Sequence, residues 1–178
     1  FVGVSIGVMV LILSMAIMNG TAKEFEKKLF TMNYPLTIYP KMDNSLNEDL
    51  LVKLQNEYPK LKFSPFISSQ AIIQSGDAMS GGMIFGVIPE KEALINPIYK
   101  EALADLKPEK YDIITGSGIS DKLLLNDGSK ATLYFTELNP TGFSMMPKMK
   151  RFTYITSFTS GLNAYDKSYM YTSMEALQ

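Results

Sequence analysis

The chain of 178 residues contains no cysteine and no histidine. Without cysteine there is no disulfide framework and no thiol chemistry. Without histidine the commonest general base near neutral pH and the commonest transition-metal ligand are both missing. A zinc site and a Ser-His-Asp triad are excluded, and an enzyme here would have to work with carboxylates, lysine or tyrosine. An excess of charge of one sign is missing as well. Seventeen basic residues stand against 18 acidic ones, a net of -1. That balance argues against a nucleic-acid partner, which wants a basic face. No low-complexity tract or internal repeat is present.

Charge is also absent from the start of the chain. FVGVSIGVMVLILSMAIM carries none, and the first charged residue is Lys23. Eighteen helical residues span about 27 Å, close to the roughly 30 Å hydrocarbon core of a bilayer. One membrane-spanning helix is expected, followed by a water-facing domain. The run starts abruptly at Phe1, so a few more apolar residues are expected ahead of it. A signal peptide is the first alternative, but it needs a basic flank and a small-x-small cleavage site. A buried core helix is the second, though such helices rarely avoid charge for so long. Past Asn19-Gly20 the pattern remains helical: Met18, Ala22, Phe25 and Leu29 share one face of a 3.6-residue period.

The roughly 150 residues that follow suit one domain or two small lobes. Tyr34-Pro35 breaks the helix, and Leu36 to Pro40 reads as a short strand. Ser45 with Glu48 forms a capping box, predicting a helix with Leu46, Leu50, Leu51 and Leu54 on its apolar face and its end at Tyr58-Pro59. Lys62 to Gly76 reads as one or two strands, then comes a turn at Gly76-Asp77 and a strand over Gly81 to Pro89. Pro89 to Leu106 is helical or irregular with a break at Asn96-Pro97. The next segment, YDIITGSGISDKLLLNDGSKATLYF, predicts strand, glycine turn, helix, Asp-Gly turn and strand, with Ile119, Leu123 and Leu124 buried. Lys150 to Phe158 and Ser168 to Ser173 read as strands, and MEALQ starts a helix. The class is α+β.

Two apparent motifs have plainer explanations. Thr115-Gly116-Ser117-Gly118 resembles a phosphate loop in outline, but lacks the lysine of one fingerprint and the third glycine of the other. It reads as a strand-to-helix turn. Asp43, Asn44 and Asn47 lack the spacing and closing glutamate of a calcium loop. Asp112, Asp121 and Asp127 are the best acid candidates for an enzyme and show no pairing in sequence.

The segment Thr136 to Phe152 is unusual. It separates two strands by more than the two to five residues of a typical hairpin, and such long loops tend to be functional. Pro140 and Pro147 stiffen it, while Phe143, Met145, Met146 and Met149 are apolar residues expected on a protruding tip. Lys148, Lys150 and Arg151 follow at its base. Exposed Met and Phe rimmed by positive charge describe a docking surface for another protein. The alternative is a loop folded back into the core.

Several spaced blocks carry a family resemblance: GVSIGVMVLILSMAIMNGTAKEFEKKLF, SPFISSQAIIQSG, GGMIFGVIPEKE, IITGSGISDKL, and PTGFSMMPKMKRFTYITSFTSGLNAYDKSYMYTSMEALQ. In this order they resemble the membrane subunits of the bacterial lipoprotein-releasing ABC transporter, the LolC/LolE family, which shares a MacB-like periplasmic core. The resemblance implies a membrane helix with its extension over residues 1–32 and an incomplete periplasmic core over 33–178. That core would divide into a Porter-like lobe, its first half over Leu36 to Pro89 with strand edges left unpaired, and a Sabre-like lobe over Pro108 to Tyr171. More chain with three further membrane helices would follow.

The resemblance also implies partners. These are cytosolic ABC ATPase subunits, a second permease chain, a periplasmic lipoprotein chaperone, the lipoprotein cargo, and the bacterial inner membrane itself. No cofactor and no catalytic role are implied. The chaperone-binding Hook of the family would be Asn139, Pro140, Thr141, Gly142, Phe143, Ser144, Met145, Met146 and Pro147. The adjoining pad would be Lys148, Met149, Lys150 and Arg151, with Thr132 where relatives carry charge. A MacB-type efflux or FtsX-like permease, and a membrane-tethered binding domain without an ATPase, are the alternatives.

Overall fold

Helix formation over the charge-free run follows from its composition, and the helix does not stop where the charge begins. The computed structural model describes residues 1–39, 48–135 and 148–178, in two compact units, Phe1–Leu36 and Thr37–Gln178. In the first unit α1 runs unbroken over Val2–Met32. Its 31 residues extend about 46 Å, well beyond the thickness of a bilayer's apolar core. The apolar side chains of the run are exposed. Two of its hydroxyls bond back to the helix itself: Ser5 Oγ donates to Phe1 O at 3.2 Å and Thr21 Oγ1 to Ile17 O at 3.0 Å. Such pairing suits a medium that offers no water. Glu24 and Lys28, one turn apart, come within 4.0 Å where the helix becomes polar.

In the second unit α2 covers Glu48–Glu57 and ends at Tyr58-Pro59 as predicted. The capping box, with Ser45, lies outside the described residues. The strand expected over Leu36 to Pro40 does not form over its described part: Leu36–Tyr39 have no regular structure, and Leu36, Ile38 and Tyr39 are exposed. A strand exists only as one side of a hydrogen-bonded ladder, and no described strand pairs with this segment.

Six strands then close into a barrel: β1 (Phe66–Ser75), β2 (Ala78–Val87), β3 (Asp112–Gly116), β4 (Lys130–Phe135), β5 (Lys148–Phe158) and β6 (Tyr169–Ser173). Their order around the barrel is β1-β2-β6-β3-β5-β4, with β4 paired back to β1. The β1–β2 hairpin turns at Gly76-Asp77, where Gly76 has φ +57°. This closure does not bear out the expected division into lobes. Strands assigned to the first lobe pair directly with strands assigned to the second, β1 with β4 and β2 with β6. Neither β1 nor β2 is left as a bare edge.

Alternation decides what lies inside. Ala71, Ile73, Ile84, Ala131, Leu133, Phe152, Tyr154 and Met170 form one core, completed by Ile119, Leu123 and Leu125 around α5 (Ser117–Leu123). Leu124 is not part of it. It takes the left-handed conformation at the C-cap of α5, φ +51°, and is 82% exposed, so Leu125 fills the predicted place. The register between β3 and β5 shifts after Ile113, which faces Tyr154 while Ile114 faces Thr156. An extra residue turns the rest of the strand over. Phe158 therefore leaves the interior set and packs on Tyr171, which also meets Phe85 and Tyr99.

Tyr99 belongs to α4 (Pro97–Leu103), which follows α3 (Pro89–Ile95) across the predicted break. Each helix starts on a proline, and extended Asn96 separates them. Asn96 Oδ1 caps α4 by accepting from Tyr99 N at 3.0 Å, and its Nδ2 donates to buried Glu92 at 3.2 Å. Ser64 Oγ donates to the same carboxylate at 2.8 Å. Burial first, then the charges of Glu92 and Glu90, raise the Tyr99 phenol above the ordinary tyrosine value. A raised folded-state pKa leaves stability intact below about pH 10 and removes it as pH climbs further. Tyr99→Phe, which has no proton to lose, should move the alkaline unfolding midpoint upward when followed by circular dichroism.

The glycine turn Gly116–Gly118 is explained by close packing. A side chain on Gly116 would lie 2.2 Å from Asp166 O, and one on Gly118 would lie 2.6 Å from Lys167 Cγ. Asp166 ends the short helix α6 (Asn163–Asp166), which sequence patterning did not reveal. Its buried carboxylate accepts from Ser160 N and Ser160 Oγ, both at 2.7 Å, and from Gly161 N at 3.1 Å. Asp166→Ala should cost about 3 kcal/mol and Asp166→Asn about 1 kcal/mol, because the amide oxygen retains an acceptor. Chemical denaturation of the two variants measures the difference.

Candidate docking site

The loop singled out in the sequence springs from a regular pair of strands. β4 and β5 are antiparallel from Lys130 opposite Thr153 to Phe135 opposite Lys148. Asn139 to Pro147 lie outside the described residues. The structure therefore bears on the root of the loop, where Lys148, Met149, Lys150 and Arg151 occupy the first four positions of β5.

Strand parity separates these four residues. Phe152 and Tyr154 point into the barrel core, so Lys148 and Lys150 share their side, while Met149 and Arg151 face outward. Lys150 is half-buried, and its Nζ donates to Ala176 O at 2.6 Å, on α7 (Met174–Leu177). Ala176 itself is fully buried. A cation on the carbonyl end of a helix is favourable, and here it ties the loop's descending strand to α7. Lys148 and Arg151 are exposed, and Met149 is 63% exposed.

The outward residues are joined by those directly across the ladder. Thr132 faces Arg151 and Tyr134 faces Met149. Tyr134 Oη donates to Gln74 Oε1 at 2.7 Å, fixing the phenol across β1. Lys130 Nζ donates to Thr153 Oγ1 at 2.6 Å. The side-chain period of two predicts this sorting once the core parity is known. From the sequence the four residues appeared only as a cluster.

The acidic candidates fall in different elements. Asp112 begins β3 and accepts from Glu109 N at 2.8 Å, Asp121 lies in α5, and Asp127 precedes β4. No group of three acids able to hold a metal occurs among the described residues.

Comparison with known proteins bears on what kind of chain carries this site. No family model matches it. Curated relatives do. A protein of Xylella fastidiosa (strain Temecula1) named lipoprotein-releasing system transmembrane protein LolC is 28% identical over 181 residues, 99% of this chain and 44% of its own length. A LolC of Neisseria meningitidis serogroup B is 27% identical over 97% of the chain and 43% of its own. A LolE of Haemophilus influenzae is 26% identical over 78% of the chain and 35% of its own.

The chain is similar, over nearly its whole length, to proteins named lipoprotein-releasing system transmembrane proteins. The resemblance carried by the motifs is borne out, although the chain spans less than half the length of these relatives. Their shared description as transmembrane proteins agrees with a helix long and apolar enough to cross a membrane, and the two together support a membrane location. On this frame the inward lysine and its outward neighbours separate experimentally. Lys150→Met should lower the unfolding free energy by about 1 kcal/mol, the usual worth of one such hydrogen bond. Arg151→Ser, at an exposed position, should leave it within about 0.5 kcal/mol. Thermal melts of the two variants provide the check.

Proposed function

We propose that this chain is part of a membrane subunit of a lipoprotein-releasing ABC transporter, in the bacterial inner membrane, with residues 33–178 in the periplasm. The observation that carries the reading is similarity to LolC proteins over nearly the whole chain, joined to a 31-residue helix that carries no charge before Lys23. The chain binds no nucleotide in this reading. ATPase subunits on the cytosolic side drive it, a second permease chain completes it, and α1 relays the motion. An unbroken helix suits that role, because a relay needs an element without a hinge.

Asn139 to Pro147 form the Hook that captures a soluble lipoprotein chaperone, rooted on the β4–β5 ladder. Phe143, Met145 and Met146 supply apolar contact, and Lys148 and Arg151 orient an acidic rim. Lys150 supports the root through Ala176 instead of meeting the partner. The barrel corresponds to the Sabre-like lobe, enlarged by β1 and β2. The Porter-like lobe is then represented by residues 36–61, where the described residues are all exposed or half-buried and α2 carries Leu50, Leu51 and Leu54.

Reconstitution of the full permease with its ATPase, chaperone and a lipoprotein tests this. Deleting Asn139–Met146, or introducing Phe143→Asp with Met145→Asp, should abolish chaperone capture by at least about tenfold in affinity while the domain melts normally. Undiminished capture and release in both variants would remove the Hook assignment. Efflux of a small molecule in place of lipoprotein release would favour a MacB-type permease.

A further inference from the structure

β2 is paired with β1 along its whole length, Ala78–Val87, but with β6 only from Met83 opposite Tyr169 onward. Its first five residues, Ala78–Gly82, have no strand on that side. Backbone parity shows which groups this leaves over. The β1–β2 turn is two residues long, so Ser75 and Ala78 exchange both backbone hydrogen bonds. Ser80 and Gly82 then also bond to β1, while Met79, Gly81 and Met83 turn their N–H and C=O to the far side. Met83 N donates there to Ser168 O at 2.7 Å, as this parity requires. Among the described residues no hydrogen bond takes the outward backbone groups of Met79 or Gly81. Gly81 is exposed and has no side chain, so the exposed surface is backbone. Neither charge nor proline guards Ala78–Gly82, the usual protections of an open edge.

We propose that this stretch of β2 pairs with the same stretch of a second copy of this chain, edge to edge and antiparallel about Ser80. Two features of the edge select a copy of itself. The first is register. Centred on Ser80, a two-fold axis sets Met79 opposite Gly81 of the second copy, and the reverse, and each pair exchanges two hydrogen bonds through the groups left over. The second is shape and charge. Met79 and Gly81 both lie on the outer face; Met79 is 51% exposed, and nothing stands within 4 Å of where a side chain on Gly81 would be. Each methionine thus lies over the other copy's bare glycine, and no like charges meet. Area points the same way. Free proteins that associate stably bury about 800 Å² per partner, far more than five residues of edge can offer. A freely diffusing partner would not stay, whereas one already held alongside would. The proposal rests on the transporter reading above for the membrane that holds two chains side by side.

Cysteine cross-linking in membranes tests the register, and residues 1–178 contain no cysteine to confuse it. Two tagged copies of the full permease, free of cysteine elsewhere, are co-expressed with the ATPase, one carrying Met79→Cys and the other Gly81→Cys. The proposed pairing sets these positions about 5.5 Å apart, within reach of a disulfide. Mild oxidation should join the two tags at least about tenfold more than it joins either variant to itself, or Met79→Cys to Leu124→Cys, at an exposed site elsewhere. Both main substitutions are at exposed positions, and melting curves confirm that the variants fold. Lipoprotein release by the unaltered permease is measured in matching membranes. Absence of the link where release is normal overturns the edge contact and leaves the transporter reading standing. Absence of both overturns both. A link without release upholds the contact and removes the transporter reading. Equal linking in the mixed, self-paired and Leu124→Cys samples is random collision and overturns the register.

Discussion

Four residue pairs between β1 and β4, from Ala71 opposite Phe135 to Gln74 opposite Thr132, close the sheet on itself. Without them the β1–β2 hairpin would attach only through β6, and β4 would present an open edge. With them, every strand has two neighbours and a single interior. Closure also fixes which residues face out, because side chains alternate strictly along each strand. The outward residues of β4 and β5 and the inward lysine follow from it.

Much of the local structure was legible in the sequence. Charge-free composition revealed α1, the Asn96-Pro97 pair revealed the break between α3 and α4, and alternation around Phe152 and Tyr154 revealed β5. These signals are short-range: a period, a missing backbone donor, a preferred turn. The pairing of β1 with β4 joins residues about 60 positions apart and leaves no local trace. That is why a lobe boundary was expected between strands that in fact pair. Leu124 was misread for a related reason. Helical periodicity counts it as buried, while the left-handed cap turns it outward. Leu36–Tyr39 has strand-like composition but no described partner.

The candidate docking site divides in the same way. Composition identified the loop and its basic root, since methionine, phenylalanine, proline and lysine rarely gather in a solvent-facing segment without a partner. Composition could not assign faces. Lys150 and Arg151 are adjacent and alike in charge, yet one holds α7 and the other faces solvent. The aspartate in GLNAYD shows the reverse case. Asp166 drew no notice within its family-like block, yet it is a structural latch, satisfied by Ser160 and Gly161.

The closed ring of ladders has a mechanical consequence. An open sheet can lose its outermost strand while the rest endures, and whatever hangs from that strand goes with it. A ring offers no outermost strand, so detaching any one breaks two ladders at once. The chain between β4 and β5 is thus anchored at both ends in a base that resists peeling and gives way only as a whole. Under any load applied through those two strands, that all-or-nothing footing keeps their position defined up to the moment of failure.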